Sequence, residues 1–293
     1  IYEFDLSNGR SILIKTDRII GNFDPSNYHS ERFFFKARDG AEVPISLVYR
    51  KDSFSPGLNP GYIYAYGAYG YPTEAAFQSN RLSLLDRGVV FAIIHVRGGS
   101  EMGRHWYDEG RLLRKKNTFN DFIDGTRALV ERKYMSSKKV FAVGSSAGGL
   151  LMGVVANEAP QLYLGIVARV PFVDPVTTML DDSIPLTSGE YNEWGNPNDK
   201  QHFDYMMSYS PYDQVRAQCY PNMLVTTGLY DSRVQYFEPV KWVSRMRRLK
   251  IDKNLLLLDI DLETGHHGAS DSYLRFRSEA LEYAFILNLL GRD

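Results

Sequence analysis

Residues 140–157 read VFAVGSSAGGLLMGVVAN. A short apolar run, Val140–Val143, is followed by Gly144-Ser145-Ser146-Ala147-Gly148 and then by a stretch from Ala147 to Asn157 with the composition of a buried helix. The pentapeptide fits G-x-S-x-G. The strand–turn–helix context is what a nucleophile elbow requires, because residues beside the serine must be small enough for a very tight turn. Only one register works: centring on Ser145 would demand glycine at Val143 and Ala147. Ser146 is therefore the candidate nucleophile.

Apolar runs of strand length alternate with helical stretches on both sides of this point. The runs are Tyr62–Tyr66, Val89–Val96, Val140–Val143, Gly165–Val170, Met223–Thr227 and Leu255–Ile260. Unbroken apolar runs suit strands buried on both faces, as in parallel sheets. The helical candidates are Phe119–Lys133, Ala147–Asn157, Pro239–Leu249 and Ser278–Leu290. The alternation predicts an open α/β fold, a mostly parallel sheet with helices on both faces, and the elbow within it makes this an expected α/β-hydrolase fold. Upstream, ERFFFKARDGAEVPISLVYR from Glu31 places two β segments around Asp39-Gly40, a strong hairpin signal. The opening IYEFDLSNGR reads as strand, Asn-Gly turn, strand. A lone hairpin is not stable by itself, so it is expected to have paired with something upstream and the numbering to begin partway through a longer protein.

A serine hydroxyl needs a base to take its proton, usually a histidine oriented by an acid. In α/β hydrolases the order along the chain is Ser, acid, His. The strand MLVTTG leads to Asp231, and LLLLDI runs on into Glu263-Thr264-Gly265-His266-His267-Gly268. Both positions lie just past strand ends, where open α/β sheets bind ligands. His267 rivals His266 as base, and Asp259, Asp261 and Glu263 rival Asp231. His29, His95, His105 and His202 are read as surface or structural; His95 and Arg97, which end an apolar run, are also candidates to line the cleft without doing chemistry. For the oxyanion, the elbow supplies the Ala147 amide. A second donor must come from the loop after an earlier strand, Tyr64-Ala65-Tyr66-Gly67-Ala68-Tyr69-Gly70, which lacks a lipase-type His-Gly-Gly-Gly run but offers tyrosine hydroxyls. Core packing explains those tyrosines equally well at this point.

The 293 residues carry 34 Lys and Arg against 35 Asp and Glu, for a net charge of −1. A chain so balanced has no basic field to attract nucleic acid or an anionic membrane. Hydrophobic residues at 44% and charged residues at 24% exclude wholesale disorder. The lone Cys219 excludes an intramolecular disulfide framework and a cysteine-rich metal site. No apolar run reaches the roughly 18 residues of a membrane span. The 13% aromatic content suits a well-filled core or a peptide-binding surface. No basic-then-apolar leader is visible from Ile1, so a cytoplasmic location is expected. Nothing in the sequence implies a metal or organic cofactor.

Taken together, several segments make the chain resemble the catalytic domain of the prolyl oligopeptidase family of serine peptidases. They are NRLSLLDRG (80–88), HVRGG (95–99), KKNTFNDF (115–122), GSSAGGLLMG (144–153), VPFVD (170–174), TTMLDDSIPLTSGEYNEWGNP (177–197), YSPYD (209–213) and VQYFEPVKW (234–242). The resemblance covers nearly the whole chain and is strongest to the branch that cleaves short peptides after Arg or Lys. It implies Ser146 as nucleophile, Asp231 as acid, His266 as base and Tyr66 as oxyanion donor beside Ala147. It further implies Arg233 as the holder of a substrate carbonyl and Glu190 as the acid that meets the P1 cation. A carboxylate there makes physical sense, since it can meet the planar fork of Arg bidentately.

Three departures stand out. A second acid, common in the family two residues after Glu190, is here Asn192. Of an acidic pair after the oxyanion loop, Glu74 remains and the partner position is Ala76. The loss of two charges is expected to weaken preference for dibasic substrates. The family's GHGG is GHHG here. The resemblance also implies an N-terminal β-propeller that restricts access to short peptides; residues 1–30 are expected to be its last strands and linker, and 31–293 the peptidase domain. The expected activity is thus serine endopeptidase on short basic peptides through an acyl-enzyme. A broad esterase or aminopeptidase on the same fold, or a non-catalytic member, are the alternatives.

Overall fold

The computed structural model describes residues 1–16, 18–19, 21, 23–268 and 272–291, with side chains described from 276 onward in the last span. The strands are β1 (Tyr2–Phe4), β2 (Ser11–Leu13), β3 (Tyr28–Lys36), β4 (Glu42–Arg50), β5 (Gly61–Tyr64), β6 (Val90–Ile94), β7 (Val140–Ser145), β8 (Gly165–Arg169), β9 (Asn222–Gly228) and β10 (Leu256–Asp261). The α-helices are α1 (Leu82–Leu85), α2 (Arg104–Asp108), α3 (Lys116–Glu131), α4 (Ala147–Glu158), α5 (Pro175–Leu180), α6 (Thr187–Trp194), α7 (Lys200–Met207), α8 (Phe237–Leu249) and α9 (Ser272–Leu290).

Among the described residues, eight strands form one sheet in the order β10-β9-β8-β7-β5-β6-β4-β3. Pairing is parallel from β10 through β6. The β3–β4 hairpin then adds an antiparallel edge, turning at Asp39-Gly40 with Gly40 at φ +91°. This is an α/β-hydrolase architecture, as the alternation and the elbow together predict.

Alternation along each buried strand splits the core between two faces. Ile63 and Ala142 point to one, where they join Phe119 and Phe122 of α3, Leu150 of α4 and Trp242 of α8. Tyr62, Phe141 and Val143 point to the other, against Leu84 and Leu85 of α1 and Phe285 and Ile286 of α9. The N-terminal hairpin stands outside this core. Its strands pair Tyr2 with Leu13 and turn through Asn8-Gly9, yet Ile1, Tyr2, Phe4, Leu6, Ile12, Leu13 and Ile14 are all exposed. The main sheet begins at Tyr28, which pairs with Arg50.

Strand order is what assembles the site. Because β5 lies beside β7, the loop leaving β5 emerges next to the elbow. The loops after β9 and β10 emerge at the same end of the sheet, two and three strands away on the other side.

Candidate active site

The elbow is held by backbone. Ser146 has φ +57° and ψ −116°, a conformation disfavoured for a residue with a side chain. Its N–H donates to the Arg169 carbonyl at 2.9 Å, and its own carbonyl accepts from Phe172 at 3.1 Å and Leu150 at 3.1 Å. The flanking glycines leave no room: a Cβ at Gly144 would lie 2.2 Å from the Gly148 carbonyl oxygen, and one at Gly148 would lie 2.7 Å from the Ala65 oxygen. The close approach of Gly148 to Ala65 sets the elbow against the β5 loop.

His266 Nε2 lies 3.1 Å from Ser146 Oγ, and His266 Nδ1 lies 2.7 Å from Asp231 Oδ2. The Asp231 carboxylate is wholly shielded from solvent. Its other oxygen accepts from the N–H groups of Arg233 at 2.9 Å and Val234 at 2.8 Å, so the charge is satisfied from both sides. A carboxylate facing Nδ1 assigns the imidazole proton to that nitrogen and leaves the Nε2 lone pair aimed at the serine hydroxyl. The acid and histidine loops are pinned together by the Tyr230 N–H on the Thr264 carbonyl at 3.0 Å. His267 is exposed and packs edge-on against His266 at 5.5 Å between centroids. Among the rivals of Asp231, Asp259 and Asp261 border a neighbouring cavity, and Glu263 is exposed beyond β10.

A cleft of about 650 Å³ opens over Ser146 and His266. Tyr66, Ala147, Glu190, Arg233 and His267 all line it. Burial pushes the Tyr66 phenol up to about 12, with the neighbouring Ser146 hydroxyl pulling the other way, so it keeps its proton as a donor at neutral pH. The Ala147 N–H opens α4 and has no acceptor within the helix. Among the described residues, the Arg233 guanidinium has no hydrogen-bond or ion-pair partner. Glu190 Oε2 accepts from the Tyr69 hydroxyl at 2.6 Å and the Trp194 indole N–H at 3.1 Å.

One sequence expectation changes: His95 and Arg97 do not line the cleft, and for His95 the structural reading holds. His95 is buried with Nε2 at 2.8 Å from Ser46 Oγ, and Arg97 grips Asp121 with two nitrogens (2.9 and 2.6 Å) and reaches Asp39 at 2.6 Å. Both lie just past the end of β6, and their side chains turn to β4, α3 and the Asp39 turn rather than to the elbow. Glu74 is exposed and outside the cleft lining.

The sequence reading also gave no role to three residues that shape the cleft, Glu193, Lys115 and Trp194. Glu193 is buried and accepts from the Tyr69 N–H at 3.0 Å and the Tyr107 hydroxyl at 2.6 Å. Lys115, fully buried, donates to the Gly67 carbonyl at 2.5 Å and lies 5.1 Å from the centre of the Trp194 ring. Burial lowers its ammonium to about 8, with Glu193 opposing. These two charges, with Tyr69 and Trp194, tie the β5 loop to α6. The only signal of Lys115, Glu193 and Trp194 in the sequence is that they fall inside KKNTFNDF and SGEYNEWGNP.

The model of the prolyl oligopeptidase family matches residues 75–293. Dipeptidyl aminopeptidase BI of Pseudoxanthomonas mexicana is 50% identical over 291 residues, which cover 99% of this chain and 40% of that protein. The structure of oligopeptidase B from Trypanosoma brucei with covalently bound antipain, in a closed form, is 48% identical with a TM-score of 0.95, covering 99% of this chain and 41% of that one. Oligopeptidase B from Leishmania major is 46% identical with a TM-score of 0.95, covering 99% and 40%. The chain thus spans about two-fifths of the length of these relatives.

Proposed function

Because the chain belongs to the prolyl oligopeptidase family and is a serine peptidase, we propose that it cleaves short peptides on the carboxyl side of Arg or Lys, by way of an acyl-enzyme. Ser146 Oγ bonds to the scissile carbonyl carbon as His266 Nε2 takes its proton. Asp231 holds the imidazole and stabilises the cation that forms. The carbonyl oxygen becomes an oxyanion that accepts from the Tyr66 hydroxyl and the Ala147 N–H. His266 then passes the proton to the leaving amine as the C–N bond breaks. Water, deprotonated by the same imidazole, releases the acyl group and restores Ser146. Arg233 holds a substrate carbonyl alongside.

The observation that carries the P1 assignment is that Glu190 is the single carboxylate among the described residues lining the cleft. A cationic side chain seated there meets an opposite charge, and a neutral one leaves that charge unpaired. Removing the charge from such a pair changes discrimination by on the order of a hundredfold. The test sets Arg-, Lys- and Pro-terminated chromogenic peptides side by side. Arg and Lys substrates are expected to lead Pro by that factor, and Glu190→Gln to erase the lead. Equal rates, or a preference for Pro, overturn the assignment.

The name of the Pseudoxanthomonas mexicana relative favours a second reading, removal of dipeptides from a free N-terminus. That chemistry needs an acceptor for the α-ammonium. With one carboxylate in the cleft, Glu190 would serve either the α-ammonium or a P1 cation. Blocked and free-amine versions of one substrate separate the two: equal cleavage supports the endopeptidase, and loss on blocking supports the dipeptidyl aminopeptidase. The rest of the protein is proposed to include a β-propeller ahead of this domain, with residues 1–30 as its last strands and the linker that runs into β3 at Tyr28. The exposed apolar side chains of the β1–β2 hairpin support this, since they lack a partner surface among the described residues.

A further inference from the structure

Glu190 is not symmetrically available. Its Oε2 accepts from Tyr69 and from Trp194, whose indole N–H is shared with the Tyr69 oxygen at 3.2 Å. A carboxylate oxygen has about two lone-pair sites, so Oε2 is filled. Oε1 has no hydrogen-bond partner among the described residues.

Tyr69 sits at φ +60°, in the left-handed region where a side chain costs energy and glycine would not. Two bonds hold it there: its N–H on Glu193 at 3.0 Å and its hydroxyl on Glu190 at 2.6 Å. Glu193 is in turn fixed by Tyr107 at 2.6 Å, and the loop two residues back is fixed by Lys115 on the Gly67 carbonyl. Burial and the Glu190 charge both push the Tyr69 phenol upward, so it remains a donor across the working pH range. The strain is therefore kept in order to aim one hydroxyl at one carboxylate oxygen.

This inference rests on Glu190 being the P1 acid. An arginine fork pairs bidentately only when each carboxylate oxygen offers a site. An ammonium needs one oxygen only. We propose that Tyr69 is a specificity-determining positioning residue: by filling Glu190 Oε2 together with Trp194, it makes the pocket a single-oxygen reader that takes Lys and Arg P1 side chains nearly alike. The discrimination that the Arg fork would gain is removed before substrate arrives.

The test is Tyr69→Phe in the intact protein, which removes one oxygen and keeps the ring. Matched Arg and Lys substrates give kcat/KM for both proteins. The wild type is expected to favour Arg by no more than about threefold. The variant, with a site on Oε2 reopened, is expected to shift the Arg-to-Lys ratio toward Arg by about five- to tenfold, chiefly through KM. Competitive inhibition by benzamidine against hexylamine should move the same way, and needs no turnover. A wild type that favours Arg by thirtyfold or more overturns the inference, as does a variant ratio that is unchanged or moves toward Lys. In those cases a cation preference over Pro still leaves the Glu190 assignment standing. If the wild type shows no preference for cations over Pro, both fail together, and that result is distinct from the others.

Discussion

The two walls of the cleft are built on different principles. The wall that carries Ser146 is fixed by backbone against backbone. Gly144 and Gly148 touch carbonyl oxygens at distances no Cβ tolerates, and Ser146 is bonded through its own N–H and carbonyl to Arg169, Leu150 and Phe172. The facing wall, α5 and α6 with the segment between them, is held by side chains reaching across the fold. Tyr69 meets Glu190 across 121 positions of sequence and Glu193 across 124, and Tyr107 meets Glu193 across 86. A backbone-fixed wall preserves the geometry of a reaction. A side-chain-fixed wall can change its selectivity through single substitutions without disturbing that geometry, which is consistent with a fold that hosts many substrate classes.

The largest expected effect lies on the first wall and separates chemistry from stability. Ser146→Ala should lower kcat by about 10⁵- to 10⁶-fold, with a melting temperature close to that of the parent, because the elbow is held by main-chain bonds the substitution keeps. Single-turnover kinetics and calorimetry on the same sample check this. A large loss of stability would mean that the serine side chain, and not the backbone, sustains the turn.

Gly144→Ala attacks the backbone contact itself. The new methyl would meet the Gly148 carbonyl at 2.2 Å, and that oxygen belongs to main chain that cannot rotate away. A loss of about 3 kcal/mol or more is expected, measured by urea unfolding. A soluble variant with unchanged stability would show that the elbow yields, and the contrast between the walls would fail.

The second wall has an ionisable foundation. Glu238 of α8 is fully buried and accepts from the N–H groups of Val173 and Asp174, each at 3.0 Å, and from the Thr178 hydroxyl at 2.5 Å. Burial outweighs these donors and raises its carboxyl from 4.5 to about 7, with the Asp174 charge adding to the rise. Between pH 4.5 and 7 the folded protein holds a proton that the unfolded chain has lost, so stability falls as pH rises through that window. Glu238→Gln keeps the shape and removes the titration. The variant should gain on the wild type by about 3 kcal/mol between pH 4.5 and 7.5, read from unfolding curves across pH. A constant difference would show that Glu238 keeps its charge throughout.

The difference between the walls also explains what the sequence reveals. G-x-S-x-G, its strand and its helix are local, and so are the positions of Asp231 and His266 just beyond strand ends; spacing brings them into view beside their rivals, and the resemblance chooses among them. The strand runs match β5 to β10 to within two residues or so. The end of β5 is instructive: an apolar run through Tyr66 predicts a longer strand, yet pairing stops at Tyr64 because the next residues turn beneath the elbow. Val89–Val96 likewise overshoots β6: the His95 N–H still donates to the Pro44 carbonyl of β4 at 3.0 Å, but the Val96 N–H turns back onto the Ile94 carbonyl at 2.9 Å. The roles of Tyr69, Glu193, Trp194 and Lys115 depend on pairings between distant segments and on a positive φ that no residue type announces. Glu190 came into view only through a family resemblance. Its half-occupied carboxylate is a property of three side chains brought together by folding.

The smallest expected effect is also the sharpest control on the comparison. Gly189 lies inside α6, is exposed, and would place a Cβ with nothing within 4 Å. It is the counterpart of Gly144: a glycine one position from the proposed P1 acid, as Gly144 is two from the proposed nucleophile, but with open space around it. Alanine favours a helix interior over glycine by about 0.5 to 1 kcal/mol. Gly189→Ala should therefore raise stability by roughly that amount, seen as a higher urea midpoint at constant slope. If it instead destabilises, α6 is held by its main chain as tightly as the elbow is, and the two walls are not built differently. If stability rises while the preference for cationic P1 residues is retained, the side-chain bonds from Tyr69 and Trp194 are sufficient to place Glu190 on a stiffened helix.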